Sequence, residues 1–79
     1  MTIRELRGIS DEEFAAALSA ARKLLRGGAE QAGLEVLAGL VLYDPFHGGV
    51  WREMEYFCRQ RREPEAARLF AELSRALEG

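Results

Sequence analysis

The feature that most limits how this chain can fold is the break at Asp44-Pro45. It interrupts an apolar, helix-forming stretch, LAGLVLYDPFHGGVWREM, from Leu37 to Met54. The residue before a proline avoids the α region, so a helix that reaches Tyr43 has to end there. A new helix must then start within a few residues and carry Trp51 on its opening turns. Two starts are open. Asp44 can cap with Pro45 in the first turn, which is the expectation here, or the helix can begin after Gly48-Gly49.

The same kind of punctuation divides the rest of the chain. Residues 1–8, MTIRELRG, are short and mixed; they read as an N-terminal arm in which Ile3 and Leu6 dock as a partial helical turn. Ser10 and Glu13 have the spacing of a capping box, and Ile9 and Phe14 that of a hydrophobic staple. Asp11, Glu12 and Glu13 lie at the positive end of the helix dipole, Lys23 and Arg26 at the negative end, and Gly27-Gly28 stops the helix. A second helix, from about Ala29 to Tyr43, carries Leu34, Leu37, Leu40 and Val41 at helical spacing. Gly33 and Gly39 interrupt it at ~1 kcal/mol each relative to alanine, a cost that close approach of a neighbouring helix offsets. The third helix runs to about Arg61, with Trp51, Met54 and either Phe57 or Cys58 facing inward. The fourth begins at Glu63-Pro64 and carries Ala66, Phe70, Leu73 and Leu77. The expected fold is all-α: four helices, as two tandem antiparallel hairpins, in one domain over residues 9–79.

Spacing sharpens this reading. Ala17 and Trp51, Ala20 and Met54, Ala21 and Glu55, and Leu24 and Cys58 are each 34 residues apart. The second unit reads Trp51-x2-Met54-Glu55-x2-Cys58, then Ala66-x3-Phe70; the first reads Ala17-x2-Ala20-Ala21-x2-Leu24, then Gly33-x3-Leu37, then Pro45. This resembles a pair of tetratricopeptide repeats, whose period is 34 residues, with repeat one at about 14–47 and repeat two at about 48–79. Glu55 and Cys58 depart from the pattern, and no proline closes the second unit. The run VLYDPFHGGVWREMEYFCRQRREPEAARLF also resembles the helical repeats of class II type III secretion chaperones and the bacterial transcriptional activator domain. The latter normally follows a winged-helix domain, for which 79 residues leave no room.

Composition narrows the function classes. Net charge is −2 with both signs interspersed, which disfavours direct nucleic-acid binding. No run approaches the ~18 apolar residues of a membrane span. Cys58 is the only cysteine, so no internal disulfide forms, and the expected setting is the cytoplasm. His47 is the only histidine and has no paired metal-ligand motif near it; no nucleophile–base arrangement or phosphate loop is present. Neither an enzyme nor a cofactor is expected. Arg59, Arg61 and Arg62 read as a solvated helix end favoured by the dipole.

The expected function is therefore a non-enzymatic protein–protein interaction module, an adaptor or chaperone for a partner peptide or helix. The alternatives are an assembly subunit and a dimerising regulatory domain. In tetratricopeptide proteins the first helix of each unit lines a concave groove. Carried onto this chain, the resemblance implies a partner groove of Leu18, Arg22, Leu25, Arg52, Tyr56 and Arg59, suited to a peptide with acidic groups. Two repeats also leave open ends. A homodimer or hetero-complex is expected, with an assembly interface at Leu69, Phe70, Leu73 and Leu77 and with Phe46 or Phe57 nearby.

Overall fold

In the computed structural model, which describes residues 1–78, the chain is all-helical. Its helices are α1 (Ile3–Arg7), α2 (Asp11–Arg26), α3 (Glu30–Tyr43), α4 (Gly48–Gln60) and α5 (Pro64–Glu78). It divides into two compact units, Met1–Pro45 and Phe46–Gly79. The expected second repeat ends at Gly79, which lies outside the described residues.

In the first unit α2 starts as its sequence requires. The Ser10 hydroxyl accepts from the Glu13 amide and the Glu13 carboxylate accepts from the Ser10 amide, each at 3.1 Å. These bonds hold the Glu13 carboxyl below its ordinary pKa. The turn after α2 needs glycine, because Gly28 sits at φ +91°. Phe14, Leu18, Ala21 and Leu25 form the buried row of α2; Gly33, Leu37 and Leu40 form that of α3. The two rows pack together. A Cβ on Gly33 would lie 2.8 Å from Leu25 Cγ and 3.1 Å from the Leu25 backbone nitrogen, so this glycine permits a close helix approach. Gly39 differs: nothing lies within 4 Å of its would-be Cβ. The expectation that both glycines serve close packing holds only for Gly33.

The N-terminal arm corrects the expected helix count from four to five. Residues Ile3–Arg7 form a short helix, with Thr2 as its cap and Gly8 in the left-handed conformation that closes it. Ile3 and Leu6 do not anchor it; they are 47% and 71% exposed. Arg4 does. Its guanidinium donates to the Ile9 carbonyl at 3.3 Å and to the Asp44 carboxylate at 3.1 Å, pairs with Asp11, and lies 4.6 Å from the centroid of the Phe14 ring. This ties α1 to the start of α2 and the end of α3.

The same contact explains a second correction. Asp44 was expected to cap the helix after the Pro45 break, with an early start. Asp44 does terminate α3 as expected, but it does not cap the next helix; its carboxylate faces Arg4. Helix α4 begins at Gly48, with His47 in the cap position and no side-chain cap bond.

In the second unit the start of α4 lies against the end of α5. A Cβ on Gly48 would meet Glu78, and Arg52 pairs with Glu78. Trp51 stacks on Phe70, with centroids 5.7 Å apart and planes 12° from parallel. Cys58 and Ala67 are buried, as are Val50 and Ser74. The turn closes with Arg62 at φ +58°, and the Glu63 amide donates back to the Cys58 carbonyl at 2.9 Å. That geometry is a helix C-terminal motif usually served by glycine. The single-residue proline start of α5 is as expected, since Pro64 occupies its first position.

Candidate partner-binding surfaces

The groove implied by the repeat resemblance draws on both units, and its residues fall into three groups. Leu18 and Leu25 are 6% and 7% exposed. They belong to the row that α2 presents to α3, so they form core and offer no floor to a ligand. The spacing 14, 18, 21, 25 already marks that row; assigning two of its members to an open face conflicts with it. Arg22 and Tyr56 are half-buried. Arg52 and Arg59 are exposed, but each faces a carboxylate of its own unit: Arg52 pairs with Glu78, and Arg59 pairs with Glu55 at 2.7 Å. Their charge is already met locally, which weakens the argument for an acidic peptide.

The expected assembly residues are placed differently. Leu69 is 56% exposed, Leu73 and Leu77 are each 37% exposed, and Phe46 is 67% exposed. Phe57 and Phe70 are half-buried, Phe70 beneath Trp51. On α5 the face toward α4 is small, built on Ala67 and Ser74. The leucines recur every fourth residue to one side of that face, so α5 carries a second apolar stripe beside the one it packs.

Three features are not legible in the sequence pattern. Arg4 is one; its Asp44 partner is 40 residues away, beyond any local pattern. A second is a shallow open depression on the first unit, lined by Ile3, Arg7, Gly39, Leu42 and Tyr43. Leu42, 71% exposed, could have signalled it, because it lies off the Leu37–Leu40 row. The third is Glu53, a carboxylate residue only 2% exposed. It stands at i+3 from Val50 and i−4 from Phe57, which places it on an apolar face of α4.

Among the described residues no group of three His, Cys, Asp or Glu side chains could hold a metal ion. Cys58 is 5% exposed, and burial, with Glu63 nearby, pushes its pKa up, so the thiol stays protonated at neutral pH. In the basic cluster, Arg61 lies 5.5 Å from the centroid of the Phe57 ring and 3.9 Å from Glu63. No helix among the described residues is long and apolar enough to cross a membrane. Comparison with protein-family models, with curated proteins and with solved structures found no match to this chain.

Proposed function

We propose that this chain is a non-enzymatic protein–protein interaction module: a small cytoplasmic adaptor or chaperone, built from two tetratricopeptide-like hairpins, that binds a partner helix through α5. The observation that carries this reading is the exposure of Leu69, Leu73 and Leu77 along one stripe of α5. Single exposed leucines are ordinary, but a contiguous row on one helix face is the signature of a surface that is covered in use. A helix laid along such a row makes contacts at i, i+4 and i+8, the usual mode of helix recognition. Arg52 and Arg59 serve their own carboxylates in this reading and set the shape of the second unit.

The test is capture with the intact chain as bait, followed by titration of the purified partner against wild type, Leu69→Glu and Leu73→Glu. Each variant is first checked for wild-type helicity. The expected result is a partner whose affinity falls at least ~10-fold, or ~1.4 kcal/mol, on either substitution. A partner that binds both variants as well as wild type refutes the assignment to α5.

A further inference from the structure

We propose that the occupant of the α5 stripe is a second copy of this chain, joined head to tail, so that α5 of one copy seats on the α1–α3 depression of the next. This rests on the interaction-module reading and names its partner. The two surfaces match in chemistry. The depression on the first unit has exposed Ile3 and Leu42 at its walls and open space above Gly39. It is bordered by Arg7, whose side chain makes no hydrogen bond or ion pair among the described residues. Arg4, one turn earlier, is held by Asp11 and Asp44, and the Glu5 carboxylate accepts from the Thr2 hydroxyl. Among the described residues that line the depression, Arg7 is the one that carries a charge.

The α5 stripe presents the opposite charge. Glu65 and Glu72 are exposed and make no ion pair among the described residues. At roughly 100° per residue they lie about 40–60° round the helix from Leu69, on the edge away from α4. Arg68 and Arg75 lie further round, beyond the glutamates, and do not border the leucines. An apolar stripe with an acidic edge thus meets an apolar depression with a basic edge, and complementary edges of this kind fix the choice of partner.

The same edge argues against antiparallel two-fold pairing of α5 with itself. In an antiparallel pair related by a two-fold axis, each edge lies beside its own copy. The Glu65–Glu72 edge would face another Glu65–Glu72 edge, and juxtaposed like charges disfavour that arrangement. Joining two different patches is a heterologous contact, which grows into chains or closes into a ring.

Sedimentation velocity of the full chain tests this, with wild-type helicity confirmed for every variant. Wild type is expected to associate as concentration rises. Leu42→Glu destroys one half of the junction and Leu73→Glu the other, so each alone is expected to be a monomer. Mixed in equal amounts they retain one intact junction and are expected to form a dimer and nothing larger. Arg7→Glu and Glu72→Arg are each expected to weaken association at least ~10-fold, and the double variant to recover most of it. A dimer that survives Leu42→Glu but not Leu73→Glu, with no rescue on mixing, overturns the proposal in favour of a two-fold interface. A wild-type monomer at all concentrations also overturns it. In that case a different captured protein whose binding depends on Leu73 would leave the interaction-module reading standing, and the absence of one would end both.

Discussion

Replacing each helix α3 glycine by alanine separates the two positions by sign. Both substitutions gain the same local term, about 1 kcal/mol of helix propensity. At Gly39 nothing opposes it: the added methyl meets no atom within 4 Å, so Gly39→Ala is expected to stabilise by about 0.5–1 kcal/mol. At Gly33 the methyl would lie 2.8 Å from Leu25 Cγ and 3.1 Å from the Leu25 backbone nitrogen. The Leu25 side chain can rotate, but its backbone is fixed inside α2 and cannot yield without moving the helix. Overpacking of this kind costs about 1–3 kcal/mol, which cancels or exceeds the propensity gain. The net expectation for Gly33→Ala is destabilisation of about 0–2 kcal/mol, so the two variants differ by about 1–3 kcal/mol. Thermal unfolding followed by circular dichroism resolves this, since 1 kcal/mol moves the midpoint of a domain this size by about 4–8 °C. A Gly33→Ala variant that melts as high as Gly39→Ala would refute the claim that α2 and α3 approach closely at Leu25.

Ser10→Ala is expected to lose about 0.5–2 kcal/mol, and Glu13→Ala to add less on top of it than alone, because the two bonds form one box. The Glu13 carboxyl has a lowered folded-state pKa, so its contribution is present above the ordinary carboxylate value and lost as pH falls through the folded one; urea melts of wild type and Glu13→Ala should converge in acid. Arg4→Ala is expected to open α1, raising amide exchange at Leu6 and Gly8 while the α2 interior stays protected; Arg4→Lys should restore little, because an ammonium cannot serve Ile9, Asp11 and Asp44 as the guanidinium fork does. Arg62→Gly, at φ +58°, is expected to stabilise the second unit by about 1 kcal/mol, read as a raised denaturant midpoint. Trp51→Ala is expected to cost nearer 3 than 5 kcal/mol, since Trp51 is half-buried yet stacked on Phe70; a melt unchanged within a few degrees would show that the stack contributes little.

The amino-acid sequence by itself determined the start and stop of α2 and the start of α5. Ser10 and Glu13, the Gly27-Gly28 pair and Pro64 act on backbone groups within four residues of themselves, so neighbours along the chain suffice to read them. It also marked the leucines of α5, because a row at every fourth residue is visible as spacing alone. Tertiary structure decided which apolar row is core and which is surface. Spacing sets Leu18 and Leu25 in one helical row and Leu69 and Leu73 in another, but it is the packing of α2 on α3 that removes the first pair from solvent. It likewise decided that Gly33 faces Leu25 while Gly39 faces open space. The fate of Asp44 shows the reason most directly. A carboxylate before proline can cap the next helix or bind a distant cation, and local rules favour the cap. Arg4, 40 residues earlier, takes the carboxylate instead and ties the arm helix to the end of α3, and α4 begins at Gly48. A guanidinium with three acceptors and an aromatic face is worth more than one cap bond, and only the folded chain brings those partners together.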